Sequence, residues 1–345
     1  MIQTEDVLFE VRGGIGLVLL NRPKALNALN QVMVEAMRER LALWAKDGAI
    51  RAVVVTGAGD KAFCAGGDIR MLTESGKAGD GAAAKFWADE YRLNTEIKRF
   101  PKPYIALIDG ITMGGGVGIS VHAPYRVATE RTLFAMPETG IGLFPDVGGG
   151  YFLPRLPGRM GYYLGLTGAR LKAADTLHAG IATHYTESVS LEPLIERLIA
   201  GEDVEAVLAA FHSDPGPAPI DAVHAAIDRL FVAETVEGIL ADLDADGGDF
   251  AEAQAAVIRT KSPTSLKLTL RQLLEGAGLE FEENMRMEFR IGQFVLKGAD
   301  FYEGVRAVIV DKDQAPKWNP PSLAEVTEET IAAAFAPLPT GDWTP

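Results

Sequence analysis

Cysteine and long apolar runs are what this sequence most clearly lacks. Its 345 residues include one cysteine, Cys64, which excludes an internal disulfide and a zinc finger built on cysteines. No apolar run approaches the ~20 residues that span a bilayer. Residues 1–9 are acidic and contain no basic stretch followed by an apolar core, so no secretory signal is predicted. These features predict no membrane association and a reducing, cytoplasmic setting.

Common signatures of metal, nucleotide and serine-nucleophile sites are also missing. The five histidines show no metal-ligand spacing, so no metal site is predicted. Neither a G-x-x-x-x-G-K-[ST] loop nor a G-x-S-x-G motif occurs. A dinucleotide G-x-G-x-x-G motif is incomplete, because its last position falls on Ile119 counted from Gly114 and on Val121 counted from Gly116. Cys64 has no identifiable base partner, and we interpret it as a small buried residue.

Charge is distributed unevenly along the chain. Hydrophobic residues make up 48% and charged residues 23% of it, which is typical of a folded protein. Residues 1–180 hold 21 Lys/Arg and 18 Asp/Glu, whereas residues 181–345 hold 12 and 29, so their net charges are +3 and −17. The acidic half disfavours nucleic acid, and a polyanionic small ligand would fit the first half better. The acidic excess itself is typical of a solvated helical surface.

Short apolar runs rich in β-branched residues alternate with helical patterns in the first 180 residues. Buried strands are predicted at three such runs, residues 16–20, 52–56 and 104–109. Apolar residues at helical spacing predict a helix over 30–46, which Asn30 can cap and Gly48 can end. A second helix is predicted over 81–99. This alternation predicts an α/β fold.

The character of the sequence changes near residue 185. Residues 189–260 are rich in Ala, Leu, Asp and Glu and are interrupted by prolines and glycines, which predicts short helices joined by loops. A helical pattern returns over 263–312 and is followed by a Pro-rich tail with one helical piece near 324–335. We therefore predict three parts, a core over 1–188, an acidic helical extension over 189–260, and a C-terminal helical region with its tail over 261–345.

Three glycine-rich turns can bring free backbone N–H groups close to a ligand. They lie at residues 65–68, 114–118 and 145–150. Two such turns that converge on one oxygen would form an oxyanion hole, which suits chemistry at a carbonyl or a thioester. Tight backbone packing is the alternative explanation for each turn.

Two carboxylates stand near the third turn. Glu138 and Asp146 flank an apolar stretch, TGIGLFP, in which only Thr139 is polar. A carboxylate in apolar surroundings has a raised pKa and can act as a general base near neutral pH. The structural alternative is that Glu138 caps a turn and that Asp146 bonds the backbone N–H groups after it.

Four ordered motifs resemble the crotonase (enoyl-CoA hydratase/isomerase) superfamily. They are NRPKALNAL at 21–29, KAFCAGGDI at 61–69, GITMGGGVG at 110–118 and MPETGIGLFPDVGGG at 136–150. Within that superfamily the chain is most similar to the 3-hydroxyisobutyryl-CoA hydrolase family. That similarity is carried by residues 144–183, 262–273 and 301–318, and by extra length that falls in 189–260.

The resemblance implies a crotonase-like spiral of repeated ββα units with a C-terminal helical region, and an acyl-coenzyme A thioester as ligand. The backbone N–H groups of Gly67 and Gly115 match the family's oxyanion hole. Glu138 matches one of the two glutamates of crotonase hydratases. The position of the second is Gly118 here, which disfavours hydratase chemistry. The residues that match the family's coenzyme A cleft are Lys24, Ala25, Leu26, Ala65, Asp68 and Ile69.

Two further acidic residues match the hydrolase family. Asp146 replaces a glycine that is typical of hydratases, and Glu90 matches a substrate contact. The resemblance thus implies hydrolysis of 3-hydroxyisobutyryl-CoA, or of a similar short hydroxyacyl-CoA, as a step of valine catabolism. It implies no metal or redox cofactor, coenzyme A being part of the substrate.

Several alternatives stay open at this stage. Glu138 can act as a nucleophile or as a general base, and the exact acyl group and a homo-oligomeric state are undetermined. An enoyl-CoA hydratase or isomerase that acts on the acyl chain is the alternative enzyme. A non-catalytic crotonase-like module that binds a protein or RNA is the alternative from another class.

Overall fold

The computed structural model describes residues 2–339 and 341–345. The described residues form two compact units, each assembled from three segments. Unit 1 is drawn from Met1–Asp68, Asp89–Ala135 and Arg170–Asp221. Unit 2 is drawn from Ile69–Ala88, Met136–Ala169 and Ala222–Pro345. The three-part division expected from the sequence stays a prediction.

The strands of the described residues all belong to unit 1. They are β1 (Val7–Arg12), β2 (Ile15–Leu20), β3 (Ala52–Gly57), β4 (Ala62–Cys64), β5 (Tyr104–Ile108), β6 (Ile111–Met113), β7 (Tyr125–Ala128), β8 (Leu133–Ala135), β9 (Leu171–Lys172) and β10 (His184–Tyr185). The larger sheet has the order β1-β2-β3-β5-β7-β10, and the smaller one has the order β4-β6-β8-β9. Only the β1–β2 and β8–β9 pairs are antiparallel among these strands.

Consecutive strands alternate between the two sheets, which produces a spiral. β3, β5 and β7 lie in the larger sheet, and the strand that follows each of them lies in the smaller sheet. Gly110 turns the chain from β5 to β6 with φ at 96°, and a Cβ there would lie 2.7 Å from the carbonyl oxygen of Lys61. Only glycine fits such a turn without strain. The predicted crotonase-like α/β spiral is confirmed.

The α-helices of the described residues occur in both units. They are α1 (Gln31–Lys46), α2 (Ile69–Ala78), α3 (Ala82–Lys98), α4 (Gly115–Gly118), α5 (Gly149–Phe152), α6 (Met160–Thr167), α7 (Ala173–His178), α8 (Leu191–Ile199), α9 (Val204–Phe211), α10 (Asp221–Leu230), α11 (Val236–Asp246), α12 (Asp249–Arg259), α13 (Pro263–Gly276), α14 (Phe281–Val295), α15 (Asp300–Val305) and α16 (Glu328–Phe335). None of the described helices is long and apolar enough to cross a membrane.

The elements predicted in the first 180 residues are confirmed to within a residue or two. The three predicted strands are β2, β3 and β5, and the two predicted helices are α1 and α3. The Asn30 side chain caps α1 by accepting a hydrogen bond from the Met33 N–H at 2.9 Å. The end of α1 differs from the prediction, because Asp47 in an extended conformation is the C-cap residue and Gly48 does not adopt a left-handed conformation.

The acidic stretch 189–260 is helical, as predicted, and forms α8 to α12. Leu194 and Leu198 of α8 and Val207 and Leu208 of α9 are buried in one cluster with side chains of the larger sheet, Val54 among them. Burial of apolar surface is the main favourable contribution to such packing. The first half of the acidic stretch therefore helps to form the core of unit 1, in addition to its solvated surface.

Candidate active site

The loop between β2 and α1 pairs with the first glycine turn in unit 1. The Leu29 N–H donates to the Gly66 carbonyl at 2.8 Å, and the Asp68 N–H donates to the Leu29 carbonyl at 2.8 Å. The Ala65 N–H donates to the Leu26 carbonyl at 3.0 Å. In this parallel bridge between Leu29 and Gly67, the hydrogen bonds join the N–H and carbonyl of Leu29 to the Gly66 carbonyl and the Asp68 N–H, which flank Gly67. It leaves the Gly67 N–H pointing away from the paired loop.

Gly115 presents a second backbone N–H beside this turn. It is the first residue of α4, where backbone N–H groups have no partner within the helix. A Cβ on Gly115 would lie 3.3 Å from the carbonyl carbon of Gly66, so the two glycine turns are in contact. Neighbouring Gly116 packs more tightly, since its Cβ would lie 2.1 Å from the Cys64 carbonyl oxygen. This geometry brings the two N–H groups that the sequence singled out into one part of unit 1.

Glu90 projects from α3 toward Gly115. Its side chain is 2% exposed, and its Oε1 atom lies 2.5 Å from where a Cβ of Gly115 would be. Glycine at 115 therefore leaves room for the Glu90 carboxyl. Cys64, under the same turns, is fully buried, and burial raises the pKa of its thiol to about 12. Cys64 is thus a buried small residue, as the sequence indicated.

The residues predicted for a coenzyme A cleft divide into several settings. Lys24 and Leu26 line a surface cavity of about 260 Å³ with residues 58–62. Ala25 ends the 3₁₀-helix Pro23–Ala25 beside them. Asp68 forms an ion pair with Arg22 at 3.2 Å. Ala65 belongs to the glycine turn that pairs with Leu26, and Ile69 is the first residue of α2 in unit 2.

Sequence reasoning missed the side chain that holds the β2–α1 loop. Asn27 is fully buried with φ at 57°. Its Oδ1 accepts from the Arg22 N–H at 3.0 Å, and its Nδ2 donates to the carbonyls of Ala58 and Ala62 at 3.0 and 2.8 Å. A buried asparagine in a left-handed conformation is typical of a structured turn. The signal available in the sequence was its place inside the motif NRPKALNAL.

Glu138 opens the 3₁₀-helix Glu138–Ile141 in unit 2 and is 5% exposed. This helix packs on α13 and α15. Gly142 follows it with φ at 72°, where a Cβ would lie 2.2 Å from the backbone of Asp300. Burial, and next the charge of Asp146, raise the pKa of Glu138 well above its usual 4.5. Oε2 of Glu138 is buried and has no hydrogen-bond partner among the described residues.

Asp146 is 5% exposed and begins a tight turn. Its carbonyl accepts from the Gly149 N–H at 2.8 Å. The next two residues, Val147 and Gly148, have φ at 51° and 90°. A left-handed conformation is strained for a β-branched residue such as valine. Asp146 is thus held by a strained turn, and its charge acts on Glu138 within the same unit.

A third buried acid in unit 2, Glu288 of α14, was not predicted. It is fully buried, and it accepts hydrogen bonds from the N–H groups of Gly148 and Gly150. Burial raises the pKa of Glu288 to about 8, the charge of Asp146 contributing to the rise, whereas the hydrogen bonds from those two glycines lower it. The signal in the sequence was weak. It consists of Asn284 and Glu288 standing within the apolar stripe of a helix.

The predicted site residues are divided between the two units. Gly67, Gly115 and Glu90 lie in unit 1, and Glu138 and Asp146 lie in unit 2. Gly118, at the position of the second hydratase glutamate, is the last residue of α4 and is buried. A glycine there offers no side chain, so residue 118 contributes no carboxylate.

Comparison with known proteins agrees with this spiral and these motifs. The family model described as enoyl-CoA hydratase/isomerase matches residues 15–335. A curated relative from Xenopus tropicalis is 51% identical over 351 residues, covering 99% of this chain and 91% of the relative. Another from Homo sapiens is 51% identical over 348 residues, covering 98% and 90%. Both relatives are named mitochondrial 3-hydroxyisobutyryl-CoA hydrolase.

Solved structures with the same fold carry different titles. A carnitinyl-CoA dehydratase from Mycobacterium thermoresistibile has a TM-score of 0.94 and 45% identity, covering 98% of both chains. An enoyl-CoA hydratase from Rhodobacter sphaeroides has a TM-score of 0.92 and 39% identity, covering 98% of this chain and 99% of its own. These structures match 98% of this chain, and their titles name a dehydratase and a hydratase.

One sequence-based expectation is wrong. The cytoplasmic assignment is overturned by the curated relatives, which are named as mitochondrial enzymes. Cysteine usage could not have revealed this, because it separates only oxidising from reducing surroundings. In family and fold, by contrast, motifs, architecture and comparisons agree, and the chain belongs to the enoyl-CoA hydratase/isomerase family.

Proposed function

We propose that this protein is an acyl-CoA thioester hydrolase that cleaves 3-hydroxyisobutyryl-CoA, or a similar short hydroxyacyl-CoA, to the free acid and coenzyme A. The observation that carries the proposal is the buried pair of Glu138 and Asp146 in a chain with glycine at 118. A hydratase holds its water between two carboxylates, and residue 118 cannot supply the second. Relatives about half identical over nearly the full chain are named as this hydrolase.

In the proposed mechanism, the N–H groups of Gly67 and Gly115 bind the thioester carbonyl oxygen. Negative charge builds on that oxygen as the carbonyl carbon becomes tetrahedral, and hydrogen bonds to it strengthen. One such donor contributes about 3 kcal/mol to lowering a barrier. Support comes from the contact between the two glycine turns, from the Leu29 bridge that does not use the Gly67 N–H, and from the place of Gly115 at the start of α4.

Glu138 acts either as a general base or as a nucleophile. As a general base it takes a proton from water, whose oxygen bonds to the carbonyl carbon while the C–S bond breaks and the thiolate leaves. As a nucleophile its carboxylate oxygen bonds to that carbon while the C–S bond breaks and the thiolate leaves, and water then hydrolyses the mixed anhydride to the free acid and the Glu138 carboxylate. The raised pKa of Glu138 and its unpartnered Oε2 support either route.

Asp146 and Glu90 are proposed to recognise the acyl group. Asp146 binds the substrate hydroxyl or assists with the proton, and Glu90 contacts the acyl portion near Gly115. A buried carboxylate that loses its hydroxyl partner is penalised, so substrates without the hydroxyl are rejected.

The coenzyme A portion is assigned to the residues matched to the family's cleft, of which Lys24 and Leu26 line the surface cavity. The reaction as proposed needs neither a metal ion nor a redox cofactor, and no nucleic acid or membrane. Its product, 3-hydroxyisobutyrate, makes it a step of valine catabolism. A homo-oligomer is compatible with the proposal.

The second candidate is a hydratase or isomerase that retains the thioester. Two solved structures with the same fold and high coverage are titled as a dehydratase and a hydratase, which favours it. Gly118 stands against it, because addition of water to a double bond in this superfamily uses two carboxylates.

Substitution of Glu138 and Asp146 tests the proposal. Glu138→Gln keeps the shape of the side chain and removes the ionisable oxygen, so thiol release should fall by roughly 10²–10⁴-fold while binding of the coenzyme A ester stays near normal. Asp146→Gly should reduce hydrolysis of 3-hydroxyisobutyryl-CoA more than hydrolysis of isobutyryl-CoA. Unchanged turnover in Glu138→Gln would eliminate its role, and equal losses on both esters would eliminate hydroxyl recognition by Asp146.

A further inference from the structure

The turn that carries Asp146 is strained and needs an external anchor. Val147 and Gly148 both have positive φ, at 51° and 90°. Strained conformations of this kind cost about 1–3 kcal/mol and persist only where the surroundings hold them. The first helix after the turn, α5, has four residues and offers little stability of its own.

Glu288 of α14 supplies hydrogen bonds at this turn. Its Oε2 accepts from the Gly148 N–H at 2.7 Å, and its Oε1 accepts from the Gly150 N–H at 2.8 Å. Two side chains complete the set, since Asn284 Nδ2 and Gln272 Nε2 donate to Oε1 at 2.8 and 3.1 Å. The carboxyl of Glu288 therefore binds the second strained residue, Gly148, and Gly150 just after it, from a helix 140 positions away in the sequence.

We propose that Glu288 is a positioning residue that fixes Asp146 for recognition of the acyl hydroxyl, with Gln272 as its partner on the other side of the turn. The proposal rests on the hydrolase function proposed above. Gln272 donates to the carbonyl of Pro145, the residue before Asp146, at 2.7 Å, and donates to Glu288 from the same nitrogen. Asp146 is thus bracketed by a hydrogen bond at 145 and by two at 148 and 150.

Packing around the turn leaves little freedom for another arrangement. A Cβ on Gly150 would lie 2.5 Å from Asn284 Oδ1 and 2.9 Å from Gln272 Cγ. A Cβ on Gly276 of α13 would lie 2.1 Å from the Gly150 carbonyl oxygen. The turn is therefore packed between α13 and α14, and the acid on α14 accepts its backbone N–H groups at Gly148 and Gly150.

Glu288→Gln is the sharpest substitution, because it preserves shape and removes one acceptor. The amide oxygen can still accept from Gly150, Asn284 and Gln272. The amide nitrogen cannot accept from Gly148, so one side of the turn is released. Misplacement of a reacting or binding group by about 1 Å can cost about 10²-fold in rate.

A matched control is Asp300→Asn on α15. Asp300 is also a buried acid of unit 2, and it accepts from the Ser262 hydroxyl at 2.6 Å and the Asn319 N–H at 2.7 Å. These two hydrogen bonds of its carboxyl involve neither the turn nor Asp146. Denaturant unfolding measures the loss of stability in each variant. If the two losses are comparable, a change in substrate preference that occurs only in Glu288→Gln reports misplacement of Asp146 and not general damage.

The experiment measures thiol release from 3-hydroxyisobutyryl-CoA and from isobutyryl-CoA by the wild type and both variants. Glu288→Gln should lower kcat/KM for the hydroxylated ester by about 10²-fold and its preference over isobutyryl-CoA by at least about tenfold. Asp300→Asn should keep the wild-type preference. Amide hydrogen exchange over residues 145–152 should accelerate in Glu288→Gln and stay unchanged in Asp300→Asn.

An active wild type with an unchanged preference in Glu288→Gln would overturn the positioning role. If Glu288→Gln does not fold, Gln272→Met serves instead, since it removes both bonds of that side chain at similar volume and should lower the same preference. A wild type that releases no thiol would contradict the proposed hydrolase. In that case hydrogen exchange at the turn still decides whether Glu288 anchors it.

Discussion

At the scale of single residues, burial decides the chemistry of Glu138. A carboxyl that is 5% exposed, with a second carboxyl acting on it, holds its proton more tightly than one in water. A raised pKa makes the ionised carboxylate a stronger base than an exposed one. The same burial in Cys64 has the opposite result for function, because the thiol stays protonated and unreactive.

The pH dependence of turnover follows from the raised pKa of Glu138. The ionised form is needed for catalysis, so kcat/KM should rise with pH through a midpoint well above 4.5. Asp146→Asn removes the charge that contributes to the rise, and the midpoint should move to lower pH. A midpoint near 4.5 in the wild type, or an upward movement in Asp146→Asn, would contradict this assignment.

The raised pKa of Glu138 also makes the free energy of unfolding depend on pH. Folded Glu138 keeps its proton at pH values where the unfolded chain has lost it, so its contribution to the free energy of unfolding falls as pH rises from about 4.5 toward the folded pKa. Relative to Glu138→Gln, the wild type should lose stability over that window in denaturant titrations. A gain over the same window would mean that the carboxyl is ionised in the folded state.

Cys64 should be silent toward thiol reagents in the native protein. It is fully buried, and burial raises its pKa to about 12. We expect no reaction with a chromogenic disulfide at neutral pH and one equivalent after denaturation, matching the single cysteine of the chain. Rapid reaction of the native protein would show that the first glycine turn opens in solution.

At the scale of elements, two adjacent glycines of α4 are needed for different reasons, one beside rigid backbone and the other beside a side chain. A Cβ on Gly116 would lie 2.1 Å from the carbonyl oxygen of Cys64, which belongs to the backbone of β4. A Cβ on Gly115 meets first the end of the Glu90 side chain, at 2.5 Å. Backbone cannot move aside as a side chain can, so position 116 is required for folding and position 115 for the space beside Glu90.

Alanine substitution at each position checks this difference. Gly116→Ala should lower the free energy of unfolding by about 3 kcal/mol, as overpacking against a rigid neighbour does. Gly115→Ala should unfold much closer to the wild type and lose turnover, because Glu90 is displaced. Denaturant unfolding and thiol release measure the two effects, and equal destabilisation by both substitutions would refute the distinction.

Local patterns were sufficient to predict the elements with strong local signals. β2, β3 and β5 are β-branched apolar runs, and the capping side chain of Asn30 marks the start of α1. The two-residue strands β9 and β10 have no such pattern, since they exist only through their partners β8 and β7. The role of Glu288 could not be predicted from local sequence either, because its hydrogen bonds to Gly148 and Gly150 join residues far apart in the sequence.

For the candidate site, the sequence indicated the residue types and left their surroundings open. The apolar stretch after Glu138 predicted a raised pKa, and the structure confirms its direction. The apolar and glycine-rich sequence after Asp146 did not reveal the left-handed conformation of Val147, because valine rarely adopts it. The catalytic roles of Gly67, Gly115, Glu90, Glu138 and Asp146 stay predictions.

At the scale of the whole molecule, chain order and spatial grouping differ. Each unit draws on three separate segments, and the acidic stretch that looked like an extension contributes α8 and α9 to the core of unit 1. The overall charge of −14 disfavours nucleic acid as a partner, and the absence of such a partner stays a prediction. Composition gave no reliable signal of the compartment, and the names of the relatives overturned the cytoplasmic expectation.

The most direct test of the central claim is free-thiol release from 3-hydroxyisobutyryl-CoA by the purified protein, with hydration of crotonyl-CoA followed in parallel. The proposed hydrolase should release thiol rapidly from the first ester and should not hydrate the second. Hydration of crotonyl-CoA without thiol release would contradict the proposal and would show that another group replaces the carboxylate missing at Gly118.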